Sequence, residues 1–403
     1  MRLAPAALAC LLSAALTARA DDAATGPRAP VIGGDSAKPG QWPDVAAILF
    51  PLSSGDEPLC TGTLIAPSVV ITAAHCYDPG DPPLPDNVLI GTSTLARHGD
   101  GETIAIKRAY VYPDPSDTED IAVLVLARPS SRAPRKIATG WGTVDIVNGA
   151  PITVVGFGAI DPDGMNFVNE LQEATTTITD ADCSASSGCN PGAQPAGELG
   201  AGGMGKDTCP GDSGGPLYLM TSYGPILAGV TSRAYDNATR ACADGGIYVR
   251  PDKVIDWIER VAGDVANIGA PQGDTLVAVH GDGDDTRIRV NDPASDAHSF
   301  EVIAPPAHGT ASVRSDGAVR VCIDAAAAPG ADQLTVMVTD TRHAHRAMPL
   351  TIPIEIKDGT PPARCDVNAF SEAGCCDAGG RPGAAIPLAL GVLALVQRRR
   401  RPR

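Results

Sequence analysis

A chain of 403 residues is too long for one compact core and implies two domains with appendages. Its formal charge of -16 argues against binding nucleic acid or anionic lipid through the bulk surface, and is ordinary for a soluble exported acidic protein. Gly (44) and Pro (36) are plentiful, aromatics make up 4%, and short apolar runs alternate with turn residues, so an all-β protein is expected rather than a helical one. Eleven cysteines suit an exported chain and not a reducing cytosol.

Arg2 precedes an apolar run from Leu3 to Leu16, and Ala18-Arg19-Ala20 is a small-x-small cleavage site. Residues 1–20 therefore read as a signal peptide, removed together with Cys10. Residues 21–30 read as a short propeptide ahead of Val31-Ile32-Gly33-Gly34. Trp42 to Phe50 and Cys60 to Ile71 are alternating or apolar runs that fit β-strands. The second run leads into Thr72-Ala73-Ala74-His75-Cys76. Asp78 to Asp86 is a Pro-rich loop without recognisable ligand spacing, so solvation is expected there rather than calcium. His98 lies in a Gly/Asp-rich loop and is expected to be solvated. Asp120 sits at the mouth of the apolar strand Ile121 to Leu126.

The stretch Lys206-Asp207-Thr208-Cys209-Pro210-Gly211-Asp212-Ser213-Gly214-Gly215-Pro216 cannot be regular helix. It predicts a tight loop in which backbone N–H groups converge on one point. Acyl transfer needs such fixed donors for the charge that develops on the attacked carbonyl oxygen. Gly211 and Ser213 would supply the N–H groups, with the Ser213 hydroxyl as nucleophile. A serine hydroxyl needs a base to take its proton, and His75 is the candidate. Asp120 is placed to accept the far imidazole N–H and fix its tautomer. Together, in the order His75, Asp120, Ser213, these motifs resemble the trypsin/chymotrypsin-like serine endopeptidases. The resemblance implies a two-barrel protease domain over residues 31–263, with general base, orienting carboxylate and nucleophile in those three roles.

Further expectations follow from the same resemblance. Val31-Ile32-Gly33-Gly34 resembles the N-terminus that family members create by proteolysis, whose ammonium would bury against Asp212 and order the oxyanion loop and pocket. Pro30 stands where a basic residue is usual and Arg28 lies two residues too early, so the activating protease is not identified. Asp207, six residues before Ser213, matches the pocket floor and would select Arg or Lys. Gly246 resembles the small residue that keeps the pocket open, and Thr231 matches the position whose hydroxyl would support Asp120. Ser232 and Arg233 stand where the family often has Trp-Gly. Arg233 is expected to point to solvent, the alternative being an inward turn that neutralises Asp207.

Phe157 replaces the tryptophan of the family's Gly-Trp-Gly strand. Cys60 is expected to pair with Cys76, and not to bind metal, since no CxxC or second histidine accompanies them. Cys183 and Cys189 are close enough for a local disulfide, and Cys209 is expected to pair with Cys242 across the pocket walls. Asn190 to Gly205 reads as a flap beside the cleft. Val249 to Ala262 reads as a C-terminal helix.

Residues 264–273 read as a linker. From 274 to 358, seven or so alternating segments separated by turns predict an antiparallel sandwich. Asn291-Asp292-Pro293, Phe300-Glu301-Val302 and Pro306-Ala307-His308-Gly309-Thr310 resemble bacterial immunoglobulin-like/cadherin-like repeats, which implies a spacer or a carbohydrate- or protein-binding module. Asp282, Asp284, Asp285 and Asp292 are expected to be solvated loop residues rather than a calcium site. His343 and His345 are expected on an exposed turn.

Residues 359–380 form a Cys/Gly/Pro-rich linker containing Cys375-Cys376, and 381–403 hold a short apolar span and an arginine cluster. Ala384 to Val396 is thirteen residues, short of the roughly 20 a membrane helix needs. The tail resembles C-terminal sorting signals of Gram-negative surface proteins, the myxobacterial type included, in which a cysteine anchors the product; a weak membrane anchor is the alternative. Cys322 and Cys365 have no partner that spacing reveals.

The expected protein is a secreted or surface-anchored endopeptidase of a Gram-negative bacterium. It would act on proteins or peptides after Arg or Lys, through an acyl-enzyme, with no cofactor or metal. A non-basic specificity, or a non-catalytic adhesion protein acting through the sandwich, are the rival readings.

Overall fold

The computed structural model describes residues 31–370, apart from Ser54, Asp81, 97–99, 114–118, 191–196 and 361–363. The signal peptide, the propeptide, His98, Cys375, Cys376 and the basic tail lie outside the described residues.

The first barrel closes six strands in the order Val45–Leu52, Gly55–Ala66, Val69–Thr72, Ala122–Leu126, Glu102–Val111, Asn87–Ile90. Closure comes from Val45–Leu52, which pairs with both Gly55–Ala66 and Asn87–Ile90. The period of two explains why that strand is apolar on both faces. Ala46 and Ile48 join Leu64, Val70, Val88 and Leu124 in one cluster. Val45, Ala47 and Leu49 turn the other way, into a cluster shared with Tyr218, Val249 and Trp257 of the second half.

The second barrel follows the order Gln172–Asp180, Glu198–Ala201, Gly246–Val249, Gly224–Ala234, Pro216–Thr221, Pro151–Gly156. It closes because Pro151–Gly156 pairs back onto Gln172–Asp180. The segment read as a flap is therefore partly a barrel strand: Glu198–Ala201 is fully paired with Gly246–Val249. The helix is shorter than expected. Val249 ends a strand, Pro251–Val254 is a 3-10 turn, and the α-helix spans Ile255–Ala262. Trp257 and Ile258 on that helix bury against the inter-barrel cluster.

Residues 264–273 are packed rather than free. Ile137 N–H donates to Ala266 O at 2.8 Å, Trp141 N–H to Gly269 O at 3.0 Å, and the Val265 and Ile268 side chains are buried.

Beyond them, two sheets pack face to face. One is ordered Leu276–Val279, Ala347–Lys357, Gly330–Asp340, His298–Ala304; the other Gly283–Arg287, Ala318–Ile323, Gly309–Val313. Leu334, Val336, Ile352 and Ile354 meet Val319, Val321 and Ile323 in the space between. The aspartates expected to be solvated are largely committed to partners. Asp285 pairs with Arg320 at 3.0 Å, and the buried Asp292 accepts from Arg346 at 2.7 Å. Arg346 also bonds Asp145 of the second barrel, joining the two domains. Its guanidinium carbon lies 5.7 Å from the centre of the Trp141 ring. His343 and His345 lie on an exposed turn, as expected, and His343 Nδ1 lies 2.9 Å from Asp340 Oδ2. Cys322 bonds Cys365, stapling the chain beyond the last strand back to the second sheet.

Candidate active site

Strand pairing alone brings His75 and Asp120 together. Val69–Thr72 pairs with Ala122–Leu126 so that Thr72 faces Ala122; His75 follows the first strand and Asp120 precedes the second. A disulfide from Cys60 to Cys76 ties down the histidine turn. His75 Nδ1 lies 2.8 Å from Asp120 Oδ2, and the His75 backbone N–H donates to Asp120 Oδ1 at 2.9 Å. With Nδ1–H committed to the carboxylate, Nε2 is the ring atom left to accept a proton.

Burial works against both charges and is outweighed in both. Burial would lower His75, but the hydrogen bond and charge of Asp120 hold it above its ordinary value. Burial would raise Asp120, but hydrogen bonds and charge from His75, and a bond from Ser232, hold it below the usual carboxylate range.

The hydroxyl that supports Asp120 is that of Ser232, not of Thr231. Ser232 Oγ donates to Asp120 Oδ2 at 2.7 Å, while Thr231 Oγ1 turns the other way and donates to Gly215 O at 3.0 Å. Successive strand side chains face opposite sides, so neighbouring hydroxyls cannot share one target. Deciding between them required the register, which a bulge shifts between Thr231 and Arg233.

Ser213 lies in a loop held against the strand end that leads to His75. Thr61 N–H donates to Ser213 O at 2.8 Å. Gly214 has φ +78°, and a Cβ there would fall 2.0 Å from Thr72 Oγ1 and 2.7 Å from Ala73 N, so only glycine fits. Gly211, at φ +96°, gives the loop its turn. Among the described residues, the Gly211 and Ser213 N–H groups have no hydrogen-bond partner. Unpaired donors at a tight turn suit an incoming oxyanion.

Asp212, next to the serine, is fully buried and accepts the N–H groups of Gly158 at 2.8 Å and Cys209 at 2.9 Å. Burial pushes its carboxyl up to about 7 against those two bonds, and the charge of Asp207 adds to the rise. Val31 is also fully buried, and Ile32 O accepts the Asp207 N–H at 3.3 Å.

Asp207, Ser213, Ser232, Arg233 and Gly246 line a cavity of about 260 Å³. Asp207 accepts N–H bonds from Thr208 at 2.8 Å, Ala243 at 3.0 Å and Gly245 at 2.8 Å. Burial nevertheless pushes it up to about 6. Gly246 flanks it; a Cβ there would sit 3.5 Å from Asp207 Oδ1, so a larger side chain would fill the floor. Disulfides join Cys209 to Cys242 beside the pocket and Cys183 to Cys189 nearby.

Arg233 neither points freely to solvent nor reaches Asp207. Its Nη1 and Nη2 donate to Glu198 Oε1 and Oε2 at 2.7 and 3.0 Å, and Nη2 also donates to Gly188 O at 2.8 Å. The buried carboxylate of Glu198 draws the guanidinium along the wall instead of down to the floor. Sequence reasoning missed Glu198, which no motif marks in its Gly/Ala-rich surroundings. On the other side of Ser232, a second cavity of about 450 Å³ runs past His75, Tyr112, Glu119 and Asp120.

Comparison with known proteins agrees with this geometry. Residues 31–258 match the family model described as Trypsin. The chain is 34% identical over 244 residues to Serine protease 56 of Homo sapiens, covering 57% of this chain and 38% of that protein. It is 32% identical over 228 residues to the trypsin of Saccharopolyspora erythraea, covering 55% of this chain and 92% of that protein. It is also 28% identical over 275 residues to glucanase inhibitor protein 2 of Phytophthora sojae, covering 62% and 85% respectively. The chain thus spans well under half the length of the human relative. The matched region covers more than half of the chain and contains both closed barrels, so the protein belongs to the trypsin family and carries a serine protease domain.

Proposed function

We propose that this chain is an exported serine endopeptidase that cleaves proteins or peptides after Arg or Lys once the Val31 amine has been freed. The observation that carries the reading is the bonded series Ser232–Asp120–His75, lying beside a Ser213 loop whose N–H groups are unpaired. His75 takes the Ser213 proton as Oγ attacks the scissile carbonyl, and the Gly211 and Ser213 N–H groups hold the resulting oxyanion. His75 then gives the proton to the leaving amine. Water, deprotonated by the same ring, attacks the acyl carbon, and the ring returns that proton to Ser213 Oγ as the acyl–oxygen bond breaks.

Asp207 at the pocket floor favours a cationic side chain, because its buried carboxylate gains most from a cation. Asp212 has only backbone donors among the described residues, and an ammonium at Val31 would supply its missing countercharge. Because Pro30 precedes Val31, the activating protease is one that tolerates proline there, or a trimming enzyme acting after a cut at Arg28. Four disulfides among the described residues and the leader-like residues 1–20 support export; the arginine-rich tail supports retention at the outer surface of a Gram-negative cell. The immunoglobulin-like reading of 274–358 makes that region the spacer or binding module.

The test is amidolysis of Arg-, Lys- and Phe-ending peptides by chains beginning at Asp21 and at Val31. Activity on Arg and Lys confined to the Val31 form is expected. Equal activity in both forms removes the activation step, and preference for Phe removes the basic specificity. The similarity to a protein named as an inhibitor keeps a second reading, binding without hydrolysis, which silence of both forms toward all three peptides would favour.

A further inference from the structure

Arg233 lies on the wall shared by the two cavities and is part of both linings. Besides its fork to Glu198, its Nη1 donates to Ser232 Oγ at 3.2 Å. Ser232 has one proton, and that proton goes to Asp120 Oδ2 at 2.7 Å. A continuous series therefore runs Glu198–Arg233–Ser232–Asp120–His75. We propose that the Arg233–Glu198 pair is a positioning element for catalysis: it fixes the Ser232 hydroxyl on Asp120 and balances the charge at the far end of the series. This rests on the peptidase reading above.

The geometry makes the arrangement specific. A guanidinium presents a rigid fork that matches a carboxylate on one edge and leaves a further N–H for the serine. Glu198 is fully buried, and its Oε2 also accepts the Asn190 N–H at 2.8 Å, so the fork is anchored on a fixed base. With an N–H directed at its lone pair, the Ser232 hydroxyl cannot turn its proton away from Asp120. The charged groups facing Arg233 are Glu198 behind it, Asp78, Glu119, Asp120 and His75 across one cavity, and Asp207 across the other. Tyr77 and Tyr112 also line the first cavity.

Because Arg233 and Glu198 cancel as a pair, removing one leaves a lone charge of known sign. Arg233→Met leaves the Glu198 anion, which favours protonated His75 and moves the acid limb of kcat/KM to higher pH. Glu198→Gln leaves the Arg233 cation and moves the limb to lower pH. Shifts of roughly half to one pH unit in opposite directions are expected, and the double variant is expected to return close to the parent. Arg233→Lys, which keeps the charge without the fork, should lower kcat several-fold and leave the limb in place.

Both the pH profile of amidolysis and the NMR titration of the His75 ring read this effect, and the second requires no turnover. Opposite shifts in the two single variants support the proposal. Shifts of the same sign, or none, overturn it, as expected if the pair only packs the wall. Glu198→Gln alone still decides the sign if Arg233→Met does not fold. Absence of amidolysis by the parent, with His75 titrating as described, counts against the peptidase reading and not against this one.

Discussion

Gly158 holds Asp212 by donating its N–H to Oδ1 at 2.8 Å, in a space where a Cβ on Gly158 would fall 2.5 Å from the carboxylate carbon. The contact is close because a charged group has been enclosed by backbone alone. Burial raises Asp212 from 3.8 to about 7, so the folded, uncut chain binds its proton more tightly than the unfolded chain does. The associated stability is fully present below about 3.8 and is lost as pH rises through about 7. A freed ammonium at Val31 would favour the carboxylate and remove that loss. Urea unfolding across this range should show the chain beginning at Asp21 weakening with pH relative to the one beginning at Val31. Parallel curves for the two forms would contradict the pairing of Val31 with Asp212.

Ser232 and Thr231 separate cleanly by experiment. Ser232→Ala removes a bond to the triad carboxylate, and a loss of about 1–2 kcal/mol, roughly 5- to 30-fold in kcat/KM, is expected. Thr231→Val removes a bond to Gly215 O and should lower stability by about 1 kcal/mol with the acid limb unchanged. Steady-state kinetics and thermal unfolding on both variants distinguish the roles. A larger catalytic loss in Thr231→Val would reverse the assignment.

The proposed basic specificity rests on Asp207. Asp207→Asn keeps the shape and removes the charge, although its amide nitrogen cannot accept the backbone N–H bonds that one carboxylate oxygen takes. Cleavage after Arg is expected to fall by at least about 100-fold, with cleavage after Phe retained or increased. Competition between Arg- and Phe-ending peptides measures the ratio directly. An unchanged ratio would place specificity elsewhere in the cleft.

Arg346 links the barrels to the sandwich while almost wholly buried among Asp145, Asp292 and Asp340. Arg346→Met leaves Asp292 buried without its cation, and a loss of about 3–5 kcal/mol is expected in urea unfolding. The variant should retain the parent kcat, since the linkage lies away from His75 and Ser213. A change below about 1 kcal/mol would show that the domains are held chiefly by apolar packing.

Much of the candidate site was legible because its parts sit in local sequence. The glycines around Ser213, the histidine after an apolar strand and the carboxylate before another each mark a backbone shape as well as a residue type. The three disulfides of the barrels were likewise within reach. What remained hidden depends on register and on long-range charge. Whether Thr231 or Ser232 faces Asp120 turns on a bulge in strand pairing. The Glu198–Arg233 pair spans 35 residues with no motif to announce it, and Arg346 reaches a partner 201 residues away. Cys365 joins Cys322 across 43 residues, a pairing that spacing does not encode.

The most direct measurement is peptide mapping of the chain beginning at Val31 after brief exposure to a fluorophosphonate, beside its His75→Ala variant. A single adduct on Ser213 in the parent, and almost none in the variant, is expected from a serine activated by that histidine. No adduct in the parent, or equal labelling in both, would contradict a peptidase acting through His75, Asp120 and Ser213.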